Sequence, residues 1–283
     1  MKYPTIKQLR YFAALDETGH FGRAADACFV SQSAFSNAIQ ELESLLGAQL
    51  VDRDNRNVTI TATGKEVATQ ARLVLQDVEG LVESAQGQTA PLCGELRLGV
   101  IPTIAPFVLP GVMPKLRKAY PELKLYLTED QSQRIYERLD SGELDVLLLA
   151  LPFPMRGVDT MDLYRDPFCL AKRDDASNDG ILLLEDGHCL RDHALDGCRI
   201  RDSRKVQRFG ASSLLTLVEM VDADLGITYL PAMAKGSSLL KNTRVKLHEL
   251  PASHSRTIGL AWRKGSRRVE EFELLGRFIA EHR

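Results

Sequence analysis

Residues 24–64 read AADACFVSQSAFSNAIQELESLLGAQLVDRDNRNVTITATG, and this stretch decides the fold of the N-terminal part of the chain. Within it Ser31 is a helix-capping residue, and Ala34, Phe35, Ala38, Ile39, Leu42 and Leu45 follow at spacings of one, three or four, the apolar stripe of a helix. Gln32, Ser33, Ser36, Asn37 and Gln40 take the opposite face. Just upstream, Phe21, Ala24, Ala25 and Cys28 share a second helical face, so two helices meet in a tight turn. A third helix precedes them, capped by Thr5, with Ile6, Leu9, Phe12 and Ala13 on one side and an end near Gly19. In a helix-turn-helix, small polar side chains near the start of the last helix suit base edges and phosphates. An ordinary amphipathic surface helix carries the same pattern, and the stripe by itself does not separate the two.

Charge limits what such a domain can do. Residues 1–64 contain six Lys or Arg and seven Asp or Glu, and the whole chain has a net charge of −2. A domain that neutralises few phosphates binds weakly as one copy, so useful affinity needs two or more copies on adjacent half-sites. The following segment offers a means of pairing. Val67, Ala71, Val74, Val78, Leu81 and Ala85 repeat at spacings of four and three, an a/d seam three heptads long. A single helix packed on its own domain fits the same residues. Gly87, Pro91 and Gly94 then end the helix.

From Glu95 onward the pattern becomes strand, helix, strand: ELRLGVI, a helix from Phe107 to Tyr120, KLYLT, a helix from Ser132 to Ser141, and LDVLLLAL. This alternation predicts a parallel α/β sheet with a ligand site at the carboxyl ends of its strands, where Thr103 and Ser132 place hydroxyls. Helix capping accounts for each of those hydroxyls equally well. A second α/β set has strands near CLAKR, ILLLE, GITYLP and TIGLAWR, with helices over Ala211 to Val221 and Arg268 to His282. A chain of 283 residues with 44% hydrophobic residues holds two or three domains. Its start, MKYPTIKQLRYF, lacks the apolar core of a signal peptide, and no stretch approaches the ~20 apolar residues of a membrane span. The expectation is a cytoplasmic protein with no membrane partner.

The run AADACFVSQSAFSNAIQELESLLGAQLVDRDNRNVTITATG resembles the N-terminal signature of the LysR family of bacterial transcription regulators along its full length. The resemblance implies a winged helix-turn-helix over residues 1–62, with Gln32, Ser33, Ser36 and Asn37 facing promoter DNA. It also implies a wing from Arg53 to Thr63 in which Arg53, Arg56 and Thr61 approach phosphates. Residues 63–87 would form a linker helix that pairs two chains, and 88–94 a hinge. Residues 95–283 would form a two-lobed, periplasmic-binding-protein-like regulatory domain. Lobe I would take about 95–162 and 263–283 and lobe II 163–262, with crossings near Leu163 and Trp262. RNA polymerase and a homo-oligomer, a dimer of dimers, are the implied protein partners.

The segment LLLEDGHCLRDHALDGC, residues 182–198, carries the chemistry. A cysteine reacts with peroxide as its thiolate, and His188 and Arg191 beside Cys189 would favour that charge, as would a helix N-terminus after Asp186-Gly187. Cys198 is the second thiol that can resolve a sulfenic acid. One continuous helix from 189 to 198 would hold the two α-carbons ~13.5 Å apart, beyond the ~4.4–6.8 Å of a disulfide, so oxidation would have to refold the segment.

EDGHCLRD with a second cysteine nine positions on, together with IPTIAPFVLP, ELKLYLTEDQ, LDSGELD, GITYLPA and RTIGLAWR, resembles the hydrogen-peroxide-sensing members of the same family. That likeness implies a non-enzymatic activator with a peroxidatic Cys189, a resolving Cys198 and a reductant such as glutaredoxin or thioredoxin. It also implies that Thr103 and Ser132 hold peroxide oxygens, with His188, Arg191, Asp192 and Arg263 in support. The pattern has threonine where this chain has Ser132, and Lys172 to Ile181 is shorter than the pattern.

Three other readings of the cysteines remain. They are inert buried thiols, the commonest state of free cysteine. They ligate zinc with His188 and His193, although no CxxC pair accompanies them and no metal or other cofactor is expected. Or they serve a thiol peroxidase. A LysR protein answering a small metabolite between its lobes is the alternative function. Cys28, Cys93 and Cys169 have no expected role, and five scattered cysteines do not form the even framework of a secreted scaffold.

Overall fold

The computed structural model describes residues 3–54, 57–85, 91–198, 200, 203–207, 210–251 and 253–283. They form two compact units, residues 1–89 with 140–143, and residues 90–139 with 144–283.

The first unit holds helices α1 (Ile6–Thr18), α2 (Phe21–Ala27) and α3 (Gln32–Leu46), a hairpin of β1 (Val51–Asp54) and β2 (Asn57–Ile60), and helix α4 (Ala62–Ala85). Each start and stop has a local cause. Thr5 and Gln8 make a reciprocal capping box at α1, which ends at Gly19 with φ 60°, and Ser31 Oγ accepts the Ala34 N–H at 3.3 Å to open α3. Phe12, Leu15, Phe35, Ile39 and Leu42 are fully buried together, and Phe35 stacks on Tyr11 at 5.0 Å. Val67 and Ala68 of α4 pack into this same core, whereas Val74 and Leu81 farther along the helix are exposed.

The second unit is built on a seven-stranded mixed sheet. Its strands are β3 (Gly94–Val100), β4 (Leu123–Glu129), β5 (Val146–Leu151), β6 (Val158–Arg173), β7 (Thr228–Pro231), β8 (Val245–Glu249) and β9 (Ser255–Arg263). The order is β4-β3-β5-β9-β6-β7, with β8 also on β6. Strands β3, β4 and β5 are parallel as the alternation predicts, but β9 runs antiparallel to β5, from Val146↔Trp262 to Leu151↔Thr257. Helices α5 (Ala105–Ala119), α6 (Ser132–Asp140), α7 (Cys189–Gly197), α8 (Leu214–Asp222) and α9 (Val269–His282) cover the sheet. The predicted strand ILLLE makes only isolated bridges, Ile181 to Val206 and Ile227 and Leu184 to Ala211.

Two separate cores define two lobes, one around Leu96, Leu147, Leu260 and Phe272, the other around Phe168, Leu183, Val218 and Leu230. Strand β6 links them: it pairs with β9 through Pro167↔Ser255 and with β7 and β8 from Phe168 and Cys169 onward. The chain therefore crosses near Pro167 and Phe168, past the expected Leu163, where the β6–β9 register shifts but Leu163 still packs in the first core. The second crossing lies elsewhere than Trp262. That residue pairs with Val146 and sits inside the first core, so the chain returns near Ser255 and Arg256, where β9 begins.

Candidate functional site

Helix α7 starts with Cys189, capped in position by His188 after the Asp186-Gly187 turn, in which Gly187 has φ 96°. The Cys189 side chain belongs to the first lobe's core while Leu190 and Ala194, on the same helix, belong to the second. The thiol is therefore the point at which a lobe II helix plugs into lobe I. Around it the first lobe supplies Ala150 of β5 and Ser132 at the start of α6, and Thr103, after β3, is tied to the site through Arg256.

Ser132 is 1% exposed, and its Oγ is enclosed without a hydrogen-bond partner. It caps nothing. The hydroxyl faces Cys189 and stabilises the thiolate once a proton has left. Thr103 is not a cap either, since its Oγ1 accepts from Arg256 Nη1 at 2.9 Å, and the Thr103 carbonyl accepts from Nη2 at 2.9 Å. Arg256 is the residue that reading the sequence missed. Its side chain is fully buried, its Nε donates to Asp166 Oδ2 at 2.9 Å, and its positive charge favours ionised Cys189. Both arginines of RTIGLAWR lie on β9, and it is the first of them, not Arg263, that reaches the site. Arg263 donates to the Leu139 and Leu144 carbonyls, seven strand residues or about 23 Å from Arg256.

The ionisation state also departs from expectation. Cys189 is 6% exposed, and burial pushes its thiol pKa up; Ser132, Arg256 and the Ala150 backbone oppose this only in part, and Asp192 adds to it. His188 and Arg191 do not supply the expected charge. His188 is buried, desolvation lowers its pKa and so disfavours the charged ring, and its Nε2 lies 3.3 Å from Gln131 Nε2. Arg191 turns away, donating to the Leu184 carbonyl at 3.1 Å and pairing with Asp186 at 3.0 Å. Asp192 is exposed in the first turn of α7.

Helix α7 is continuous to Gly197, with Cys198 as its C-cap, so Cys189 and Cys198 stand about 13.5 Å apart along the axis. Cys198 is half-buried, and desolvation pushes its thiol up to about 11. All five cysteines carry free thiols. Among the described residues no group of His, Cys, Asp and Glu is arranged to hold a metal, and no helix is long and apolar enough to cross a membrane.

In the first unit Gln32, Ser33 and Asn37 are exposed on α3 and Ser36 is half-buried. The Thr61 hydroxyl donates to the Gln49 carbonyl at 2.9 Å and accepts the Gly64 N–H at 3.0 Å, holding the hairpin to the start of α4. Arg56 and the side chain of Arg53 lie outside the described residues.

Family models match both units: "Bacterial regulatory helix-turn-helix protein, lysR family" over residues 6–65 and "LysR substrate binding domain" over residues 89–283. The chain belongs to the LysR family. It is a DNA-binding transcription regulator. Among LysR proteins it is 42% identical over 285 residues to the HTH-type transcriptional regulator EstR of Acinetobacter baylyi, covering 96% of this chain and 95% of that one. It is 38% identical over 290 residues to the hydrogen peroxide-inducible genes activator of Dickeya chrysanthemi, covering 98% and 95%. The structure of a full-length OxyR variant from Pseudomonas aeruginosa superposes with a TM-score of 0.82 at 31% identity, covering 99% and 95%. This LysR regulator is thus similar to OxyR over nearly its whole length.

Proposed function

We propose that this LysR regulator senses hydrogen peroxide through Cys189 and answers by forming a disulfide with Cys198. The observation that carries the reading is the Cys189 site itself: a buried thiol at a helix N-terminus, facing the unpartnered Ser132 hydroxyl beside the Arg256-bound Thr103. A peroxide beside the thiol would find the Ser132 hydroxyl, which has no other partner, as donor or acceptor. The Cys189 thiolate attacks one peroxide oxygen, giving the sulfenic acid and hydroxide, which takes up the thiol proton as water. Cys198 then displaces a second water from the sulfenic acid to close the disulfide. Because α7 holds the two sulfurs too far apart, closure requires α7 to unwind and Cys189 to leave lobe I. The lobes lose a shared anchor, and the spacing of winged domains in an oligomer changes with it. A thiol reductant of the glutaredoxin or thioredoxin class resets the switch, and the oxidised form recruits RNA polymerase.

A second reading rests on the family model over residues 89–283, which is named for substrate binding: a regulator answering a small metabolite between the lobes. Thiol titration of the reduced full-length protein, before and after one equivalent of hydrogen peroxide, separates the two. Rapid loss of two thiols, mapped to Cys189 and Cys198 by peptide analysis and abolished by C189S, is the expected result. Slow oxidation scattered over all five cysteines favours the metabolite reading.

A further inference from the structure

The turn that leads into α3 contains a residue whose conformation and exposure both work against the isolated protein. Helix α2 closes with the Val30 N–H donating to the Ala25 carbonyl at 3.1 Å and the Phe29 N–H to the Asp26 carbonyl at 3.0 Å. This double closure needs a left-handed residue between the helix and Val30, a place usually taken by glycine. Here it is Phe29, with φ 58°. The β-carbon makes that conformation costly, and burial does not repay the cost, because the ring is 90% exposed. Its neighbours Cys28 and Val30 both pack on the core of the first unit.

Phe29 lies two residues before the α3 cap Ser31 and three before exposed Gln32, so its phenyl group stands at the entrance to the helix that carries the DNA-facing positions. The only apolar group that base edges present in the major groove is the thymine 5-methyl. We propose that Phe29 is a specificity-determining residue that packs on the 5-methyl group of one thymine in each half-site. The contact repays in the complex what the turn costs in the free protein, and it is independent of the peroxide chemistry.

The test uses full-length protein and a duplex enriched by it from a random-sequence pool. Phe29→Gly is expected to melt no lower than the parent while binding that duplex about tenfold more weakly. Phe29→Ala keeps the left-handed strain and is expected to lose the same affinity. Replacing thymines by uracil one at a time should cost the parent about threefold to fourfold at one position per half-site and cost Phe29→Gly nothing there. Unchanged binding by either variant overturns the proposal. So does a lower melting temperature for Phe29→Gly, or weakened binding that leaves the uracil profile of the parent intact; the last would place the ring on the sugar-phosphate wall or on another protein.

Discussion

A buried thiol reacts only through the fraction that ionises, and at Cys189 burial outweighs the three groups that favour the thiolate. With its pKa pushed up by burial, only a small fraction of this thiol is ionised near neutral pH, and that fraction rises with pH. If Cys189 is the peroxide thiol as proposed, Cys198→Ser protein stops at the sulfenic acid, and its rate of peroxide consumption should climb about tenfold per unit from pH 6 to 8. A flat profile would mean that the folded protein already holds Cys189 as thiolate. Stability runs in the opposite direction: the folded state binds this proton more tightly than the unfolded one, so the contribution is complete below pH 9 and fades as pH rises through the folded value. Asp166 gives a second test. Its carboxyl is pushed up by burial despite Arg256, and it is the only carboxylate paired with that buried guanidinium among the described residues. Asp166→Asn leaves Arg256 uncompensated and should cost about 3 kcal/mol by denaturant unfolding, with slower sulfenic acid formation as Thr103 is released. A cost below about 1 kcal/mol would show that water reaches Arg256. Arg256 and Asp166 are 90 positions apart, and their pairing depends on how β6 and β9 align across the crossing. No local pattern signals that register, which is why RTIGLAWR by itself does not reveal that its inner arginine serves the site and its outer one does not. Cys189, Ser132 and Thr103 are legible because strand ends and a helix start follow from nearby residues.

Elements are legible where their cause is local. The stripe of α3, the Thr5 and Ser31 caps and the Gly19 stop all follow from residues within a turn of one another, whereas in α1 the buried face is Tyr11, Phe12 and Leu15 and Ile6 of the expected face is exposed. Strand direction does not. The reversal of β9 follows from the chain returning from lobe II, and ILLLE fails as a strand because its partners are single residues from three separate segments. Gly64 shows a tertiary constraint hidden inside a helix. A β-carbon there would collide with the Leu50 carbonyl oxygen and lie 2.7 Å from Ile60 Cγ2, so α4 can cross the hairpin only with glycine at this point. Gly→Ala within a helix ordinarily stabilises by up to about 1 kcal/mol. Here Gly64→Ala should lower the melting temperature of the winged domain and weaken DNA binding by displacing the wing. A rise in melting temperature would show that the hairpin and α4 can separate without cost.

At the scale of the whole molecule the limiting quantity is affinity for DNA. With six basic and seven acidic residues in its first 64, one winged domain neutralises few phosphates, and two domains held at fixed spacing gain far more than twice the affinity. Helix α4 has a surface suited to holding them. Val67 is spent on the domain's own core, but Val74, Leu81 and Val82 are exposed, Leu81 at 62%, on a helix of 24 residues. Isolated apolar residues on a surface need no partner, but here two of the three continue the spacing that begins at Val67. A pairing of α4 with its counterpart in a second copy would bury them and join two winged domains. Leu81→Glu introduces a carboxylate into that seam without touching either core. By sedimentation the variant should shift to a smaller species at micromolar concentration, and its DNA binding should depend about half as steeply on salt, because half as many phosphates are neutralised per binding unit. An unchanged mass would move the oligomer contact to the second unit and leave the exposed face of α4 without a partner.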